Sequence, residues 1–233
     1  MMLWFLKPGV TLSYVIMRLL SILLIIFLIL PLHEFAHGYV ANKLGDKTSK
    51  HSGRLTLNPL YHIDPIGVLV MFLFGFGWAK PVPIDPRNFK NPKVGMALTA
   101  IAGPISNILA ALVGGFLYYG IIVVFHQLMS QVVFQLIKYF FLSYISINVG
   151  IAVFNLLPIP PLDGSRIFGI FLPDKVLYKY YQYEQIITIV TLGLLFVGVL
   201  SVPLTYLQDL VFTWIMKLAQ FPFKGVISAI WGV

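Results

Sequence analysis

At 233 residues the chain has the length of one or two soluble domains, yet 59% of it is hydrophobic and only 10% is charged, against globular averages of roughly 45–50% and about 25%. A soluble protein is excluded. Mean hydropathy of +0.90 and charge-free runs such as Val94 to Phe125 and Gln185 to Gln208, longer than the ~20 residues that cross a bilayer, predict an all-α polytopic membrane protein of about five or six spans. The 16 Lys+Arg over 8 Asp+Glu leave a net charge of +8. Membrane topology and the lipid bilayer account for it, without nucleic acid as a partner. No cysteine is present, so any metal must rest on His, Asp or Glu.

The first span is read from Val10 to Leu44. Lys7 and Arg18 precede the apolar run Leu19 to Leu32, in the manner of a signal anchor, and no small-residue cleavage site appears before His33. After the polar stretch Gly45 to Pro65, the run Ile66 to Gly77 is too short to span and holds Gly67, Gly75 and Gly77. It is expected to be re-entrant, or an edge packed on the bundle. Trp78 to Lys93 carries Pro81, Pro83, Pro86 and Pro92, which forbid helix and favour an extended, edge-strand-like path. Val94 to Phe125 and Val132 to Leu157 are two long spans joined by the short connector His126 to Gln131, hence antiparallel neighbours. The chain breaks at Pro158 and spans again from Ile186 to about Leu207. The tail from Asp209, with Trp214, Lys217, Phe221, Lys224 and Trp231, fits an interfacial helix or a poor final span.

Basic residues set the orientation. Eight of the sixteen lie between Lys43 and Lys93, none in the His126 connector, and Arg166, Lys175 and Lys179 follow Pro158. These basic loops are expected in the cytoplasm and the N-terminus outside, in a multi-pass protein of the cell membrane.

His33-Glu34-Phe35-Ala36-His37 is an H-E-x-x-H motif. On a helix, residues four apart share a face, so the two imidazoles can hold one metal with the glutamate alongside. Its position, directly after fourteen uncharged residues, makes it costly by roughly 2.5–3.5 kcal/mol per charged group near a helix centre, and such groups usually line a functional cavity. Pro31 is expected to kink the helix by opposing the carbonyl of Phe27. A catalytic zinc needs a third ligand. Asp163 is the best placed, alone in the break Asn155-Leu156-Leu157-Pro158-Ile159-Pro160-Pro161-Leu162-Asp163-Gly164. Glu184 is the rival, beside Tyr180, Tyr181 and Tyr183. Asp64 in a turn-like Asp-Pro, His51 and His62 in the polar loop, and His126 in the outer connector are left outside the metal's ligands.

An H-E-x-x-H in the first core span followed by N-x-x-P-x-P-x-L-D-G resembles the site-2 protease family of intramembrane zinc metalloproteases. Gly103-Pro104-Ile105-Ser106-Asn107 is similar to the family's G-P-x-x-N element, and Gly53 to Gly67 with Gly77 to Pro83 is similar to the loops of its compact branch. The resemblance runs from about Pro31 to Arg166. It implies His33, His37 and Asp163 as ligands of one Zn2+ per chain and Glu34 as general base. It places Asn107 and Asn155 near substrate or oxyanion, although interhelical hydrogen bonding explains both amides equally well. Transmembrane proteins are the implied substrates, cut near the cytoplasmic side. The expected organisation is one protease domain, 1–233, with a catalytic core of about 10–166 and accessory C-terminal spans over 167–233. The short outer connector leaves no room there for the PDZ domain of larger members. The alternative is a zinc transporter or non-proteolytic zinc scaffold. A transporter needs polar residues across both membrane halves, whereas the outer halves of the spans read as almost purely apolar.

Overall fold

The computed structural model describes Phe5, residues 9–74 and residues 77–231. Lys7, Gly75 and the side chain of Trp231 lie outside the described residues. Helix α1 covers Leu12–Lys43 and is N-capped by Thr11, whose hydroxyl accepts from the Tyr14 N–H at 3.2 Å. Within it, Ile25–Ile29 winds as a π-helix. The break expected at Pro31 thus takes the form of a widened turn: Pro31 has no N–H to give Phe27, and a π-turn re-routes the carbonyls around its ring.

Short helix α2 (Thr48–His51) and a 3-10 turn at Pro59–Tyr61 follow. Helix α3 (Pro65–Phe74) is started by Asp64, whose carboxylate accepts from the N–H groups of Ile66 and Gly67. At ten residues, about 15 Å, it does not cross a bilayer. The chain returns beside it, since a Cβ on Gly67 would lie 2.1 Å from the Trp78 carbonyl oxygen and one on Gly77 would lie 2.1 Å from that of Gly67. The return segment from Trp78 is extended but forms no strand, a correction to the edge-strand expectation, because Pro81 and Pro83 cannot donate to a ladder. Its polar groups are bonded locally: Lys80 N–H to the His62 carbonyl, the Lys80 and Pro81 carbonyls to Arg54, and the Pro83 carbonyl to the Ser49 hydroxyl.

Helix α4 (Pro92–Phe125) is capped by Asn91, and α5 (Gln131–Asn155) by Ser130. Helix α4 is central, packing on α1, on α5, and on two later helices, α6 (Asp163–Phe168) and α9 (Ser201–Gln220). Its small residues permit this: Gly114 lies against the Tyr144 ring and Gly115 against Ala219. The apolar core between them includes Ile22, Ile29, Ala111, Ile145, Val149 and Ile215.

Helices α7 (Asp174–Gln182) and α8 (Glu184–Val197) precede α9, and α10 (Lys224–Trp231) follows it. Among the described residues, four helical stretches are long and apolar enough to cross a membrane: Leu12–Lys43, Pro92–Phe125, Gln131–Asn155 and Ser201–Ser228. The expected span Ile186 to Leu207 is corrected. Gly198 adopts φ +87 and ends α8, so the last described stretch long and apolar enough to span starts at Ser201 and takes in much of the tail read as ambiguous. The half of the bundle that holds the α4–α5 connector is less apolar than read, since Arg18, Gln135 and Lys138 line a cavity between α1, α5 and α9.

Candidate metal centre

The C-terminal third of α1 carries His33, Glu34 and His37, all buried. Asp163 arrives from much later in the chain, after α5. Pro158, Pro160 and Pro161 stop α5 from continuing, and a new helix begins at Asp163. Gly164 lets this turn nest on the end of α5, for a Cβ there would fall 2.2 Å from the Leu157 carbonyl oxygen and 2.3 Å from that of Leu156.

The three side chains converge. His33 Nε2 and His37 Nε2 are 3.1 Å apart, and Asp163 Oδ2 lies 3.4 Å from the first and 3.3 Å from the second. Ligand bonds of 2.0–2.1 Å in a tetrahedral zinc site place neighbouring donors about 3.3–3.4 Å apart, which these distances match. The proton positions agree. His37 Nδ1 faces the Thr99 carbonyl at 2.8 Å, an acceptor only, so it must donate and leave its lone pair on Nε2. His33 Nδ1 donates in the same way to Asn107 Oδ1. Two ring lone pairs and a carboxylate oxygen facing one another repel unless a cation lies between them, so the donor set fits a metal.

Helix α4 supplies the outer support. The Asn107 amide N–H donates to Asn148 Oδ1 at 3.3 Å, and Asn148 in turn donates to the Tyr144 carbonyl at 2.9 Å. Gly103 brings the α4 backbone against both imidazoles, where a Cβ would lie 2.3 Å from His37 Nε2 and 2.6 Å from His33 Nε2.

Glu34 points into a cavity of about 460 Å³ and accepts a hydrogen bond from the Val82 N–H at 2.9 Å. The same cavity is bounded by Trp78 and Val82 of the return segment, Asn155 of α5, Asp163 and Arg166 of α6, and Thr188 of α8. A pocket largely apolar in outline with convergent polar groups is the ordinary form of an active site.

Of the residues singled out in the sequence, His33, His37 and Asp163 are brought together. Glu184 is not in that group and its α8 is tied to Pro160 through the Thr188 hydroxyl. Asn155 lines the cavity, whereas Asn107 is fully buried behind His33 and does not. His51 is exposed at the end of α2, and His62 is buried with Nε2 bonded to the Thr56 carbonyl. His126 caps the C-terminal end of α4. Sequence reasoning missed Thr99 and Val82, which act through backbone atoms and carry no side-chain signal. It also missed Asn148, a third amide in an apolar span and findable on that ground.

A model of Peptidase family M50 matches residues 21–198, and the chain belongs to this family, that of the site-2 proteases. It is similar to a protein of Bacillus subtilis (strain 168) named "Putative zinc metalloprotease YwhC", 43% identical over 157 residues, 66% of this chain and 70% of that protein. It is also similar to "Putative zinc metalloprotease Rip2" of Mycolicibacterium smegmatis (strain ATCC 700084 / mc(2)155), 31% identical over 140 residues, 58% of this chain and 51% of that protein. No solved structure matches it. The family match extends past Arg166 into α8, which walls the cavity.

Proposed function

We propose that this chain is a zinc metalloendopeptidase of the site-2 protease type that hydrolyses peptide bonds within transmembrane segments of membrane proteins. The observation that carries the reading is the triangle of His33, His37 and Asp163 donors with Glu34 beside it in one cavity. Zinc held by those three residues would supply a water of lowered pKa and polarise a carbonyl.

The protein's own groups do the rest. His33 and His37 are held in the tautomer that presents Nε2 by Asn107 and Thr99. The Val82 N–H engages Oε2 of Glu34, which leaves Oε1 to take a proton from the attacking water and return it to the departing amine. Asn155 and Arg166 line the cavity, where an amide and a guanidinium can orient a substrate carbonyl. Asn107 acts as the positioning residue for His33. This favours the interhelical reading of its amide over contact with substrate.

We read the segment from Pro65 to Pro83 as re-entrant, entering and leaving on the side where α1 ends, with the Trp78 to Pro83 stretch flanking an unwound substrate. The basic loops support placing that side in the cytoplasm of a cell-membrane protein. The core of about 10–166 carries the metal and base, and the C-terminal helices enclose the cavity.

The test is cleavage of a panel of single-span substrates by the purified protein beside Glu34→Gln, with metal assayed in both. Glu34→Gln retains zinc and loses cleavage. If both hold zinc and neither cuts, the reading fails, and zinc flux into vesicles decides for the transporter.

A further inference from the structure

The ionisable residues that line the metal-centre cavity are His33, Glu34, His37, Asp163 and Arg166. The two histidines and Asp163 are donors to a metal, and Glu34 is held by the Val82 N–H. Arg166 stands apart. It is half-buried, and among the described residues it makes no hydrogen bond and no ion pair. The wall around it is built largely of apolar side chains, Trp78, Val82, Ile151, Phe154 and Leu195 among them. A charge set in such a wall gives up hydration without a partner, and a placed polar group of this kind is what gives a pocket its specificity.

The position of Arg166 defines the partner. Side chains three apart on a helix are neighbours, with about 5–6 Å between Cβ atoms, so Arg166 lies one turn along α6 from the metal ligand Asp163. The Asp163 carboxylate is engaged by the histidines and makes no ion pair with Arg166. The guanidinium is felt on α7 instead: burial pushes the Tyr181 phenol up, and the charge of Arg166 acts against that rise. Glu184 acts on the same phenol in the opposite sense but does not pair with Arg166. At about 3.3 Å per residue of extended chain, a substrate with its reacting carbonyl at the metal centre brings side chains two or three residues away to this guanidinium. Closer in, Glu34 and Asp163 repel a carboxylate. At Arg166 a carboxylate is the favoured partner, because the planar fork binds both of its oxygens.

We propose that Arg166 is a specificity-determining residue that selects transmembrane segments carrying Asp or Glu two or three residues from the scissile bond. This rests on the proteolytic reading given above and narrows its substrate class. Membrane proteins usually carry Lys or Arg at the cytoplasmic ends of their spans. On the cytoplasmic placement proposed above, an acid there is a mark that most of them lack.

The experiment takes one single-span substrate cut by the purified full-length protein, maps the cut by mass spectrometry, and places Glu or Gln in turn at each of the three positions on either side. Glu is preferred over Gln about tenfold in kcat/KM at one or two of these positions, on one side of the bond and mostly through KM. Arg166→Gln abolishes the preference with zinc content unchanged. Arg166→Lys keeps about threefold, as a point charge without the fork, and Arg166→Glu reverses the preference towards Lys at the same position. Lys80→Gln, which removes an exposed charge next to the cavity wall, retains it. A wild-type ratio near one at every position, or a preference intact in Arg166→Gln, overturns the proposal and leaves the proteolytic reading standing. A preference equal at all positions, or lost in Lys80→Gln as fully as in Arg166→Gln, overturns it in favour of a diffuse field. If the wild type holds zinc and cuts no substrate, the proteolytic reading fails and this proposal with it. Should Arg166→Gln fail to fold, Arg166→Lys carries the test, and a preference unchanged in that variant overturns the proposal.

Discussion

Gly103→Ala is the smallest change that tests the architecture of the metal centre. The added methyl carbon would lie 2.3 Å from His37 Nε2, 2.5 Å from His33 Cε1 and 2.6 Å from His33 Nε2. Ordinary contact begins near 3.4 Å, so the closest pair overlaps by about 1.1 Å. The rings cannot swing aside freely, because Asn107 and the Thr99 carbonyl hold their Nδ1 atoms. Helix α4 must retreat from α1 instead, and it carries Thr99 and Asn107 with it. Metal sites tolerate displacements of about 0.2 Å, several times less than this overlap. The expected outcome is a loss of 1–3 kcal/mol in stability from overpacking and a fall in zinc affinity of about 100-fold, at the upper end for a disturbed support of metal ligands. Zinc retained after dialysis against a chelator measures the second, and denaturation in detergent the first. Gly120→Ala is the control, since its nearest neighbour is the Phe223 ring at 3.7 Å, and it should match wild type. A Gly103→Ala protein with wild-type zinc content and cleavage would refute the claim that the α4 backbone is fitted to the histidine pair.

Asn107→Ala removes the acceptor for His33 Nδ1 and orphans Asn148 Oδ1, and zinc affinity should drop 10–100-fold while Glu34-dependent cleavage stays measurable at saturating metal. Asp163→Ala should lose most of its zinc and Glu184→Gln should keep it; metal analysis giving the reverse pattern would restore the glutamate-ligand arrangement. Val82→Pro deletes the N–H that engages Glu34, so cleavage should fall about tenfold or more with zinc content unchanged, and cleavage at the wild-type rate would show that the contact does not orient the base.

The parts of the site legible in the sequence are those where chemistry needs a side chain of one type. His33, Glu34 and His37 declare themselves by helical spacing, and Asp163 by standing alone beside a proline break. What the sequence leaves unwritten is backbone work. The Val82 N–H, the Thr99 carbonyl and the close approach of Gly103 leave no mark beyond a valine, a threonine and a glycine in apolar surroundings. Spans fail for a related reason. Gln185 to Gln208 is charge-free and long enough to cross, yet Gly198 sits in the left-handed region and splits it. Hydropathy sums over such a turn without seeing it. The polar cavity between α1, α5 and α9 escaped because Arg18, Lys138 and Asp209 are far apart in sequence, each a single charge in an apolar run, and only packing brings them to line one cavity.

The base and the segment that engages it hang from the same stretch of chain. Asp46, fully buried just past the end of α1, accepts from the Thr48 N–H and hydroxyl, from the Asp85 N–H at 2.8 Å and from the Asn88 amide at 2.8 Å. Ser49 and Arg54 tie Pro83, Pro81 and Lys80 to the same loop, so the register of Val82 against Glu34 depends on this knot. Burial alone would push the Asp46 carboxyl up, but donors from Thr48, Asn88 and the Asp85 backbone outweigh it and hold it below the usual carboxylate range. A depressed pKa in the folded state gives stability that is present above the unfolded value of ~3.9 and is lost as pH falls through the folded one. Asp46→Asn keeps the shape but turns two acceptor oxygens into one, and it should cost roughly 1.5–3 kcal/mol near neutral pH. The gap between variant and wild type should shrink once pH drops below about 4. Cleavage should fall with stability while zinc stays bound, because the knot touches no ligand. A destabilisation that does not shrink on acidification would place the effect in packing and remove Asp46's charge from the account.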